Sequence, residues 1–146
     1  LAVMPGIVTT GEVKRQTEFE EVGIELKTIE NGKIKDDPML DDISVVANVK
    51  GKGLVVVTGC SHAGIVNIIK QAIELSGCEQ IEGIVGGLHL IEASEARIKR
   101  TVEELSKLNP GWICAGHCTG FKAQVEFYLN FGERFSPLHT GMNFEI

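Results

Sequence analysis

The sequence contains no His-x-His and no His-x-x-x-His anywhere in its 146 residues. A metal site, if the chain has one, must therefore gather its imidazoles from segments far apart in sequence. The four cysteines, Cys60, Cys78, Cys114 and Cys118, make no Cys-x-x-Cys pair. Cys114, His117 and Cys118 lie close together, but a structural zinc site draws on a second ligand pair, which is missing. No Gly-x-Gly-x-x-Gly occurs either. Thr58-Gly59-Cys60-Ser61-His62-Ala63-Gly64 has the outer glycine spacing of a phosphate-binding loop, yet Ile65-Val66 stand where Lys and Ser/Thr are required. One Trp, one Tyr, a net charge of −6 and no basic stripe argue against a nucleic-acid partner. No apolar run approaches the roughly 18 residues of a membrane span, and no segment reads as a signal peptide.

What remains is globular. Hydrophobic residues at 43% and charged residues at 23% suit one domain with a real core. A domain of this size does not need disulfide staples, so the cysteines read as reduced thiols and the compartment as cytoplasmic. The chain starts at Leu1 with its first Met at position 4, which reads as a fragment or a processed product.

The first third reads as β structure. Ile24, Leu26 and Thr28 alternate with charged neighbours, and Asn31-Gly32 is a two-residue hairpin signal. Asp36-Asp37-Pro38 and Asp41-Asp42 mark a loop, the acidic pair lying either in solvent or at a site edge. Ser44–Val49 and Leu54–Thr58 predict two strands joined by Lys50-Gly51-Lys52-Gly53. From Gly59 the rhythm becomes strand, loop, helix. Ile65, Ile68, Ile69, Ala72 and Ile73 line one helical face, stopped by Ser76-Gly77. Gly83–Val85 is a short buried strand. Ser94 caps a second helix striped by Ile98, Val102, Leu105 and Leu108 and stopped by Asn109-Pro110-Gly111. Trp112–Ala115 predicts the next strand, and Phe121, Val125 and Leu129 predict the buried stripe of a third helix. Leu138, Thr140, Met142, Phe144 and Ile146 alternate as a final strand, with His139 in a structural or surface role.

Three histidines then fall just past glycines at the ends of three successive strands: Gly-Cys-Ser-His (59–62), Gly-Gly-Leu-His (86–89) and Ala-Gly-His-Cys (115–118). Residues past the carboxyl ends of neighbouring strands converge on one edge of an α/β sheet. Neutral imidazoles gathered there suit zinc, iron or manganese. His62, His89 and His117 are accordingly the candidate metal ligands, predicted to lie together at one end of the sheet. Cys60 is a further ligand candidate or a substrate contact. Gly86-Gly87 would let the backbone pass close to a ligand.

Several longer motifs point to a family. Pro5-Gly6-Ile7, Thr10-Gly11-Glu12-Val13, Asp41-Asp42-Ile43, the run Gly53–Asn67 (GLVVVTGCSHAGIVN), GGLHL at 86–90 and AGHCTG at 115–120 come in order. Together they resemble the metallo-β-lactamase-fold metal-dependent hydrolases. The likeness is specifically to the group named for 7,8-dihydropterin-6-methyl-4-(β-D-ribofuranosyl)aminobenzene-5′-phosphate synthase. The resemblance implies an αββα sandwich with one or two metals at the sheet edges. It also implies that a His-x-His-x-Asp-His motif, absent here, supplies the first ligands. Matched by motif, His62 and His117 fall at later metal-binding positions, His89 at a further site histidine, and Cys60 where many members place a metal-bridging Asp.

The expected architecture is thus α/β, the C-terminal portion of such a sandwich: a mixed sheet with helices on one face, as a single partial domain over residues 1–146. The expected function is part of a metal-dependent hydrolase acting on a phosphate-containing or ester substrate. One alternative is a synthase joining carbon to nitrogen at a pterin pyrophosphate, with a metal stabilising the departing pyrophosphate. A non-catalytic half-domain that needs a partner chain is another. The cofactor is a divalent metal, with zinc, manganese, iron and magnesium not distinguished. Cys60, Ser61, Cys118 and Thr119 are read as contacting the substrate or supporting the ligands, and no residue is given a catalytic role. The partner is a small molecule, with no membrane involved. Lacking the first sheet, the chain should expose an apolar face and form a homo-oligomer or take up its missing half.

Overall fold

The computed structural model describes all residues except 22–25, where the predicted strand residue Ile24 falls. Seven strands form one sheet in the order β1-β2-β5-β6-β7-β8-β9. They are β1 (Ala2–Met4), β2 (Ile7–Thr9), β5 (Val45–Val49), β6 (Gly53–Val57), β7 (Ile81–Gly87), β8 (Trp112–Gly116) and β9 (Phe135–Pro137). The first four neighbours pair antiparallel, and from β6 onward the pairing is parallel. The remaining strands, β3 (Lys27–Glu30) and β4 (Lys33–Asp36), make a separate hairpin. Its turn uses Asn31 and Gly32, both at positive φ, as the sequence signal requires.

Each parallel step needs a crossover, and three helices supply them: α1 (Ile65–Ser76), α2 (Glu95–Leu108) and α3 (Phe121–Phe131). Their apolar residues share a single core with one face of the sheet. Val46, Leu54, Val56, Ile84 and Ile113 meet Ile65, Ile68, Ile69, Ile98, Leu105 and Phe127 there, all essentially without solvent contact. Each such side chain contributes about 1.5–3 kcal/mol by leaving water. The mixed sheet with helices on one face agrees with the sequence reading. Among the described residues, no helix is long and apolar enough to cross a membrane.

Among the described residues the opposite sheet face is only partly covered. Val45 and Val57 pair across β5 and β6 and remain 39% and 44% exposed, with Val85 half-buried beside them. Over β8 that face is covered by the carboxyl-terminal segment, where Trp112 stacks on Phe144 with ring centroids 5.2 Å apart and Cys114 touches Met142.

Two expectations fail here. Residues 138–146 form no strand. Pairing with β8 ends where the Leu138 N–H meets the Ala115 carbonyl, and a turn at Thr140-Gly141 reverses the chain. His139 is therefore exposed in a loop, and its apolar neighbours cap the sheet face instead of lengthening it. On α3, Phe121, Val125 and Leu129 face solvent at 80%, 39% and 71% exposure. The buried stripe is Ala123, Phe127 and Phe131, two positions on. Both stripes have helical spacing; Phe127 wins because it stacks on both Phe131 and Phe135.

Candidate metal centre

The parallel strands β6, β7 and β8 are immediate neighbours, so the loops leaving their carboxyl ends meet. Each loop holds a non-glycine residue in the left-handed region: Ser61 (φ 62°), His89 (φ 45°) and His117 (φ 52°). Such backbone costs energy and persists only where surrounding contacts enforce it, often at functional sites.

The enforcing contacts are buried hydrogen bonds. The Ser61 hydroxyl donates to the Gly87 carbonyl at 2.6 Å and pairs with the Thr58 hydroxyl at 2.9 Å. Thr119 donates to the Gly116 carbonyl at 2.6 Å and accepts the Leu88 N–H at 3.1 Å. Both side chains are fully buried, and their hydrogen bonds staple the loops. Gly87 completes the junction. A Cβ there would stand 2.7 Å from both the Cys118 sulfur and the Gly59 carbonyl oxygen. The close approach foreseen at this glycine is thus to the adjoining loops.

Onto this frame the candidate ligands are set. His62 and His89 are buried, 8% and 6% exposed, with ring centroids 4.3 Å apart. Cys60, His62 and His89 offer donor atoms that all lie within 4.8 Å of one another. Cys60, His117 and Cys118 form a second such group, with His117 exposed. His62 and His117 thus share a sheet end but not a donor group; Cys60 belongs to both. Among the described residues, the buried Nδ1 of His62 has no hydrogen-bond partner. A buried unpaired ring nitrogen beside a thiol and a second imidazole has the chemistry of a metal ligand, and soft sulfur with nitrogen suits zinc-like ions. The residues present fit a divalent metal.

Charge at the site follows burial. Desolvation, then the positive charge of His62, lowers the pKa of His89, which favours the neutral, ligating imidazole. Burial and the neighbouring Cys118 push the Cys60 thiol up to about 12. A cation there would have to displace that proton.

Two residues at the site were not placed by sequence reasoning. The Asp42 carboxylate accepts the Ala63 N–H at 3.2 Å, just beyond His62, which brings the Asp41-Asp42 loop to the site edge. Glu20 is buried and accepts the Val66 and Asn67 N–H groups, each at 2.9 Å. It thereby caps α1, which has no capping side chain of its own. A Cβ on Gly64 would meet the Glu20 carboxyl at 2.3 Å, so this glycine admits the cap. Asn67 reciprocates by accepting the Gln16 and Thr17 N–H groups. A glutamate followed 46 positions later by the helix it caps leaves no local signal.

No family model matches the chain. It is 42% identical over 144 residues to the 7,8-dihydropterin-6-methyl-4-(β-D-ribofuranosyl)-aminobenzene-5′-phosphate synthase of Methanocaldococcus jannaschii, covering 97% of this chain and 49% of that protein. An uncharacterised protein of the same organism is 38% identical over 117 residues, covering 80% of this chain and 41% of its own length. The chain therefore spans about half the length of the curated relatives it matches. Among solved structures, Tm1679, a metal-dependent hydrolase of the β-lactamase superfamily, superposes with a TM-score of 0.91 at 27% identity, covering all of this chain and 56% of its own.

Proposed function

We propose, for a chain that has the metallo-β-lactamase fold and resembles the dihydropterin-linked synthase, that it forms the ligand-bearing second half of a metal-dependent enzyme acting on a phosphate-bearing small molecule. The observation that carries this is the buried group of Cys60, His62 and His89, with the Nδ1 of His62 unpaired. His62, His89 and His117 are the proposed ligands, with Cys60 shared between the two donor groups. A bound divalent metal would supply a positive centre that polarises a phosphate oxygen or stabilises a departing one. The chain's own work is to hold donors in place. Ser61 and Thr119 lock the loops, burial favours the neutral form of His89, and Asp42 steadies the backbone after His62.

Between the two chemistries, synthase is the better-supported reading. The synthase relative is closer in sequence, at 42% against 27% for the hydrolase, and the product it is named for carries a phosphate. Hydrolysis uses the same donors and is the second reading. A cytoplasmic location suits unpaired thiols at such a site.

The test assays protein made from the complete reading frame, loaded in turn with zinc, manganese or iron. Substrates are a pterin pyrophosphate with an aminobenzene nucleophile, and a phosphodiester. Transfer to the nucleophile supports the synthase, and phosphodiester cleavage alone supports the hydrolase. Activity that survives both His62→Ala and His89→Ala would remove the metal reading.

A further inference from the structure

The four cysteines of the chain are free, but two of them are not apart. Cys60 leaves β6 and Cys118 leaves β8, 58 positions later, and their sulfurs stand 2.9 Å from each other. The backbone holds them there. The Cys118 sulfur accepts the His89 N–H at 3.3 Å, and its thiol reaches the Cys60 carbonyl at 3.3 Å. Gly87, without a side chain, leaves the space the Cys118 sulfur occupies. Both residues are partly exposed, so a small oxidant reaches them. Cys78 and Cys114 are placed otherwise: Cys78 bonds to the Gln80 carbonyl at the end of α1, and Cys114 is buried under Met142.

We propose that Cys60 and Cys118 form a reversible disulfide that disables the metal centre. A disulfide requires sulfurs about 2.05 Å apart, so a closure of under an ångström completes the bond. With a peroxide as oxidant, one sulfur attacks a peroxide oxygen, giving a sulfenic acid and one water. The second thiol then displaces the sulfenic oxygen as a second water. Two thiols lose two electrons and two protons, and one peroxide is reduced to two waters. A dithiol reductant reverses the bond by exchange. The consequence is local and complete, because Cys60 is common to both donor groups and Cys118 belongs to one. One covalent bond withdraws a ligand from each group. That consequence rests on the metal reading above; the bond itself does not.

The experiment treats the reduced, metal-free chain with one equivalent of hydrogen peroxide, then counts thiols and maps peptides by mass spectrometry. The expected result is loss of two of the four thiols, with Cys60 and Cys118 cross-linked, reversed by dithiothreitol. Cys60→Ser and Cys118→Ser should each keep all remaining thiols. Four surviving thiols, or sulfinic acids in place of the cross-link, would overturn the proposal. So would a bond involving Cys78 or Cys114. In a second arm, zinc uptake is measured on the reduced and the oxidised forms of protein made from the complete reading frame. Uptake by the reduced form alone supports the switch, and equal uptake by both overturns it. Cross-linking with no zinc uptake by either form sinks the metal reading and leaves the thiol pair standing.

Discussion

The His62 and His89 rings face each other across two loops, centroids 4.3 Å apart and planes tilted by 44°. Burial lowers the pKa of His89, and the repulsion between two imidazoles in contact lowers it further. A divalent cation held by the proposed ligands His62, His89 and Cys60 would offset that repulsion. Three donors and one exposed imidazole still leave a shell open, and ordering it costs free energy. The isolated chain should therefore bind zinc or manganese weakly or not at all. Calorimetry checks this. Stoichiometric binding at micromolar affinity or tighter, abolished by His117→Ala, would mean that this chain completes the site alone.

Glu20→Ala should destabilise the chain by about 2–4 kcal/mol, because it removes a helix cap and strands two buried N–H groups. Denaturant unfolding measures it, and a loss below about 0.5 kcal/mol would show that the cap is idle, as for an ordinary surface site. The variant should also lower the metal-binding ability of His62, which lies three positions before the helix start.

The same residue sets a pH dependence. Burial outweighs the donors from Val66, Asn67 and Thr17, so the folded-state pKa of Glu20 is raised above its ordinary value. A raised folded pKa means the folded state binds the proton more tightly than the unfolded chain. Its contribution is fully present below the unfolded pKa and fades as pH rises through the folded one. Compared with Glu20→Gln, the natural chain should lose relative stability as pH climbs from about 4.5 toward neutral. A stability difference that is flat across that range, or that grows, would contradict the assignment.

Much of this was legible in the sequence, and the failures share a cause. Local chemistry was readable: the Asn31-Gly32 turn, the Ser94 cap, the stops at Gly77 and Asn109, and three histidines at three strand ends. Each rests on backbone requirements met within a few residues. What was missed depended on partners distant in sequence. Helical spacing admits both stripes of α3, and only Phe135 of the next strand selects Phe127. Alternation over 138–146 is real, but a strand also needs a neighbour, and the turn at Thr140-Gly141 carries the chain off β8. Glu20 looks like any surface glutamate until α1 is folded beside it.

Gly87→Ala should cost about 1–3 kcal/mol, since its new methyl group overlaps the Gly59 carbonyl and the Cys118 sulfur, one of them rigid backbone. Because those atoms belong to the site loops, the variant should also lose the Cys60–Cys118 proximity. Reaction with peroxide should then no longer cross-link the pair at one equivalent. A variant as stable as the natural chain, with the same cross-linking yield, would show that the loops tolerate displacement.

The final prediction concerns the partly covered sheet face. Val45, Val57 and Val85 lie in register on three adjacent strands, opposite the helices, and at the β8 end of that face Trp112 stacks on Phe144. A second apolar surface lies on α3, where Phe121, Val125, Tyr128 and Leu129 are exposed. Contiguous apolar patches beyond a few hundred Å² are uncommon on soluble monomers, so at least one of the two should be covered in solution. The sheet face is the stronger candidate, because in the resembled sandwich a second sheet packs there, and residues of a flat pleated face present more continuous apolar area than one helix. We expect a dimer or higher oligomer by light scattering. Val57→Lys should return it to monomer, while Leu129→Lys leaves it associated. The reverse pattern would move the interface to α3. A natural chain that stays monomeric at roughly 100 μM and unfolds cooperatively would show that it closes its own core, since a monomer of this size normally does so in one transition.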